Sequence, residues 1–91
     1  MRFAYQPSFL DTTRQLSRAQ ASKLLKAIEK FQHAMESHQW PQGLAITHLR
    51  GDYFEFRVDI HRRVIYRRMG DVIQYVLYGS HDQVRRFLKA L

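Results

Sequence analysis

Tyr53-Phe54-Glu55-Phe56-Arg57-Val58-Asp59-Ile60 is the segment around which the architecture of this chain can be worked out. Phe54, Phe56, Val58 and Ile60 alternate with Tyr53, Glu55, Arg57 and Asp59. A period of two places the first set on a buried face of a strand and the second on a polar face. Next to it, His61-Arg62 reads as a turn and Arg63 to Arg68 as a second strand. Met69-Gly70-Asp71 is a tight turn into Val72 to Tyr78, a third strand rich in β-branched and aromatic residues. Gly79-Ser80 closes this meander. Asp82 is the expected cap of a final helix whose Val84, Phe87, Leu88 and Leu91 share one side.

Toward the N-terminus the period becomes helical. Ala21, Leu24, Leu25, Ile28, Phe31 and Met35 recur at helical spacing, with Lys23, Lys26, Glu29 and Lys30 on the other side. Ser17 reads as its N-cap, with Gln20 at the third helical position, and the helix should end near Ser37, before the loop Trp40-Pro41-Gln42-Gly43. Residues 2–6 read as a short strand closed by Pro7, and Ser8 as the cap of a first short helix. The predicted order is a short N-terminal strand, two helices, a three-stranded antiparallel meander and a short C-terminal helix. That order indicates an α+β fold, with helices covering one face of a mainly antiparallel sheet and the other face open. Arg57 and part of the Arg62 to Arg68 cluster are expected to project from the open face.

The whole of residues 1–91 is expected to form one domain, since a second core would need roughly 50 residues of its own. Lys and Arg number 15 against 8 Asp and Glu, a net charge of +7 that points to polyanionic partners. Arginine dominates, and Arg50, Arg57, Arg62, Arg63, Arg67, Arg68, Arg85 and Arg86 all follow residue 49. Guanidinium forks bind phosphates bidentately. Cysteine is absent, which excludes disulfides, thiolate metal sites and thiol nucleophiles. The longest apolar runs, such as Tyr75 to Tyr78, fall far short of the ~20 residues of a membrane span. Arg2, Gln6, Asp11 and Arg14 interrupt any signal-peptide core, so a cytoplasmic protein with no membrane partner is expected.

Leu49-Arg50-Gly51, Phe54-Glu55-Phe56-Arg57-Val58, Arg63-Val64-Ile65-Tyr66 and Tyr78-Gly79-Ser80-His81 stand in an order that resembles the RelE/ParE superfamily of type II toxins. The resemblance runs over roughly residues 49–85, and the lead-in of strand and two helices fits as well. It implies a toxin neutralised by a cognate antitoxin. RelE-like members cut mRNA in the ribosomal A site without a metal, whereas ParE-like members inhibit DNA gyrase and are not nucleases. The end of the last strand is similar to the Gly-Thr-His of YafQ-type mRNA interferases, whose histidine is catalytic; here it is His81. The tyrosine that RelE-like members use has no counterpart, since Val84, Arg85 and Phe87 occupy the matching region.

Cleaving RNA without a metal requires a base, charge on the phosphorane oxygens and an acid for the leaving oxygen. A histidine, with its usual pKa near ~6.5, serves as acid or base at neutral pH. His81 is the candidate for proton transfer, and Arg63, by its match to the family arginine, for phosphate stabilisation. Arg57 is a second phosphate ligand. Glu55 is a general base or simply a partner of Arg57, and an ion pair of Arg63 with Glu55 or Asp59 is the plain alternative for that arginine. Arg85 can act only as fixed charge. Arg50, His61, Arg62, Arg67 and Arg86 are expected RNA contacts, with Tyr53 as a base-stacking candidate. His33, His38 and His48 have no metal-site spacing, so neither metal nor cofactor is expected. The expected partners are an antitoxin, the ribosome and mRNA. A gyrase inhibitor, or a degenerate member that only binds RNA or antitoxin, is the alternative.

Overall fold

The computed structural model describes residues 1–91. Its strands are β1 (Arg2–Tyr5), β2 (Thr47–Arg50), β3 (Tyr53–Arg57), β4 (Arg63–Met69) and β5 (Val72–Gly79). Its helices are α1 (Pro7–Thr12), α2 (Arg18–Ser37) and α3 (His81–Ala90), with a 3-10 turn at Gln42–Leu44. The strands form one sheet in the order β1-β5-β4-β3-β2. The meander is antiparallel, and β1 joins its far side parallel to β5 with Phe3 opposite Ile73 and Tyr5 opposite Tyr75. Gly70 turns β4 into β5 at φ 59°, in the left-handed region that favours glycine.

The amphipathic stripe of α2 packs on one face of the sheet. Phe31 stacks on Phe56 with ring centroids 4.4 Å apart and meets Tyr66 at 4.5 Å and Tyr75 at 6.1 Å. Helix α2 starts with the expected capping box of Ser17 and Gln20 and stops at His38, which adopts a left-handed conformation.

Several expectations need correction. The sheet has five strands, because Thr47–Arg50 pairs with β3 as an extra edge strand. Alternation stops at Arg57: Val58 donates its amide to the carbonyl of Arg62, Asp59 Oδ1 accepts the amides of His61 and Arg62, and Ile60 is 79% exposed. Helix α1 begins at Pro7 with Gln6 as its cap, while the Ser8 hydroxyl donates to the Val76 carbonyl at 2.6 Å. Helix α3 is capped by Ser80, whose side chain exchanges hydrogen bonds with Gln83, and Asp82 lies in its first turn. The second face of the sheet is not open along its length. Helix α3 lies on it, with Val84 packed against Ile65 and Val76.

Candidate functional site at the N-terminus of the last helix

Register builds this site. Arg57 stands opposite Arg63 and Glu55 opposite Ile65, so Glu55, Arg57 and Arg63 share the α3 face. Arg63 in turn stands opposite Gly79, the last residue of β5, and His81 opens α3 two residues further on. The ends of β3, β4 and β5 thereby bring Arg57, Arg63 and His81 to one end of the sheet. Arg85, one helical turn beyond His81, falls on the same side of α3. Both His81 and Arg85 are exposed.

Glu55 is only 8% exposed. Its partner is Arg63 and not Arg57: Arg63 Nη1 lies 3.5 Å from Glu55 Oε1, a diagonal contact across the strands. The second oxygen, Oε2, is buried without a protein hydrogen-bond donor. A buried carboxylate carries a solvation cost that the neighbouring guanidinium offsets, so each holds the other in place. Arg57 makes no ion pair.

The loop between β3 and β4 reaches the same end. Burial opposes ionisation of Asp59, but the amides of His61 and Arg62 and the charge of Lys23 outweigh it and lower its pKa. His61 is exposed at this clasped turn. Arg62 lines an adjoining polar cleft of about 360 Å³ with Arg14, Tyr78, Gly79 and Gln83. Burial pushes the Tyr78 phenol up, against the charge of Arg62, so it is a neutral hydroxyl at physiological pH. Arg14 was not expected here, and Tyr78 was expected at this strand end but with no role in the site. Alternation marks Tyr78 as core, and a periodic pattern carries no information on where a phenol oxygen ends.

The remaining candidates are spread along α3 or lie at its other end. Arg67 donates from Nε to Asp52 Oδ2 at 2.9 Å and sits 5.4 Å from the Tyr53 ring centroid. Tyr53 meets Phe87 edge-on at 5.4 Å, so its ring is engaged by the protein itself. Arg50 Nη1 donates to the Leu88 carbonyl at 3.0 Å, tying β2 to the end of α3. Arg86 is exposed on α3. No three His, Asp or Glu side chains meet in a group able to hold a metal ion.

A sheet of this order, with a long helix on one face and a C-terminal helix on the other, recurs in solved structures. The E. coli DinJ-YafQ complex matches with a TM-score of 0.67 at 14% identity, over 92% of this chain and 98% of that one. The RelB-RelE antitoxin-toxin complex from Methanococcus jannaschii matches at 0.66 and 12% identity, over 92% and 96%. The YoeB/ParE toxin from Agrobacterium tumefaciens matches at 0.66 and 20% identity, over 89% and 99%. The fold is that of the RelE/ParE toxins. No protein-family model matches the chain, and no curated protein matches it by sequence. Within the RelE/ParE fold, two of these three structures are of toxins held by antitoxins. No helix of this chain is long and apolar enough to cross a membrane.

Proposed function

We propose that this chain is the toxin of a type II toxin-antitoxin pair, acting in the cytoplasm as a ribosome-dependent, metal-independent mRNA endoribonuclease. The observation that supports this reading is that exposed His81 opens α3 two residues past Gly79, the strand partner of Arg63, on a toxin fold. His81 exchanges the proton at the 2′-hydroxyl or at the leaving oxygen. Arg63 and Arg57 meet the charge that develops on the phosphorane, and Arg85 adds fixed charge from α3. Glu55 is too enclosed to act as a base toward RNA and serves as the anchor of Arg63. An acidic antitoxin segment covers the same arginines.

One feature favours the ParE-like reading. Phe87, in the region where RelE-like toxins carry tyrosine, packs on Tyr53 and offers no hydroxyl. Cleavage on programmed ribosomes decides between them. His81→Ala should lower the rate by about 10²–10⁴, the usual range for positioned proton transfer. His33→Ala, on α2, should match the unaltered chain. Equal activity in both folded variants refutes the histidine mechanism. Loss of DNA synthesis ahead of protein synthesis on induction points to gyrase.

A further inference from the structure

A second cationic site lies outside the one described above. The cleft between α2 and the end of β3 has a volume of about 190 Å³ and is walled by Lys23, Lys26, Lys30 and Arg57 over Ala27 and Leu44. Ala27 and Leu44 are buried, so the floor is apolar and fixed. The lysines recur at i, i+3 and i+7 and therefore form one stripe of α2. Lys23 spends part of its charge on Asp59, 3.8 Å away, in an exposed pair of little energetic weight. Lys26, Lys30 and Arg57 have no carboxylate within ion-pair distance. An ordinary solvated helix face intersperses acids with its lysines. Glu29 and Glu36 are on this helix, yet neither bridges to the stripe.

We propose that this cleft binds the phosphodiester backbone of single-stranded RNA upstream or downstream of the cut. The inference rests on RNA being the ligand of the His81 site. Arg57 links the two, since it lines this cleft and stands opposite Arg63 in the register. A strand seated at His81 and Arg63 continues over the end of β3 and along α2. From Lys23 to Lys30 the helix rises roughly 10 Å, so the stripe reaches more than one phosphate of a strand laid along it. The cleft is open to solvent and about 190 Å³ in volume, so a phosphate can enter it from the surface.

The test is equilibrium binding of a labelled ten-nucleotide RNA of mixed sequence to the full chain, without ribosomes. Lys26→Glu/Lys30→Glu should weaken binding at least tenfold at low salt and reduce the slope of log K against log salt by about 1.4, two contacts at ~0.7 each. Lys26→Gln/Lys30→Gln should move both readouts in the same direction by less. Arg18→Glu/Lys89→Glu, an equal charge change at exposed positions outside the cleft, should cost less than threefold. Thermal melts confirm that each variant is folded. Equal losses in the two Glu pairs would reduce the effect to net charge and overturn the proposal, as would unchanged binding by Lys26→Glu/Lys30→Glu. Polyglutamate binding that depends on Lys26 and Lys30, with RNA binding that does not, would overturn it in favour of an acidic protein. A chain that cuts nothing on ribosomes but binds RNA through Lys26 and Lys30 fails the nuclease reading and keeps this one.

Discussion

The sheet's two faces differ in what they bury. Against α2, Phe31, Phe56, Tyr66 and Tyr75 form a cluster of aromatic rings with no ionised group buried among them. Against α3, the fully buried apolar set is Ile65, Val76 and Val84, and Glu55 is buried on that face beside Arg63. The first face supplies stability. The second keeps charge at the strand ends, where a functional group must stay reachable.

That contrast is testable first on the α2 face. Phe31→Ala should cost about 3–5 kcal/mol, which at ~4–8 °C per kcal/mol lowers Tm by tens of degrees for a domain of this size. Val84→Ala, beneath α3, removes two carbon groups and should cost about 1.5 kcal/mol at ~0.8 per methylene. Similar melting losses for the two would mean that the faces share the load.

The next largest effect lies on the α3 face. Arg63→Ala leaves the Glu55 carboxylate buried and uncompensated, and should destabilise by about 1–3 kcal/mol because Arg63 is itself partly exposed. Adding Glu55→Gln should recover a good part of that loss in chemical denaturation. No recovery would mean that the pair is not coupled. Arg63→Ala therefore confounds the proposed role of Arg63 with folding, and Arg63→Lys, which keeps the charge, separates the two.

Alkaline pH should also distinguish the faces. Burial pushes the Tyr66 phenol up to about 12, and Tyr75 and Tyr78 rise with it. The folded state binds these protons more tightly than the unfolded state does. Their contribution is thus fully present below the ordinary tyrosine value near ~10 and is lost as pH rises through the folded values. Melts between pH 8 and 11.5, in steps chosen to bracket that range, should show Tm falling above about pH 10. Tyr66→Phe should flatten the fall, and an unchanged slope would remove Tyr66 as its source.

The smallest effect belongs to the loop. Asp59 has a lowered pKa, so its contribution is present above the ordinary aspartate value near ~3.9 and is lost as pH falls through the folded value. Asp59→Asn should cost about 0.5–1 kcal/mol at pH 7, a gap that closes in acid. A gap that persists at pH 2, well below the ordinary value, would contradict the assignment.

Much of this was legible in the residues. Period two over β3 to β5 and the apolar stripe of α2 marked the meander and the long helix. Strand β2 was not, because Thr47-His48-Leu49-Arg50 is an edge strand with a single apolar side chain. Ser80 with Gln83 carries the same capping signal as Ser17 with Gln20, and Asp82, two residues on, offers a competing one. Alternation placed Glu55 and Arg57 on one face, and the register adds Arg63 to it. Which arginine would meet Glu55 depended on the hairpin register, set by a loop that begins at Val58 and not at His61. The apolar side of α3 was visible, but the face it would bury was not.

The parallel union of β1 with β5 imposes an order of events on the nascent chain. Arg2 has no partner in the sheet until Val72 has been made, and this pairing closes the largest loop in the sheet. A polypeptide halted between Ser37 and Val72 holds α2 but has neither β5 nor the helix that starts at His81. Such a fragment has no assembled arginine and histidine end. That end of the sheet is complete only once pairings distant in sequence have formed, and pairings of that kind fold slowly.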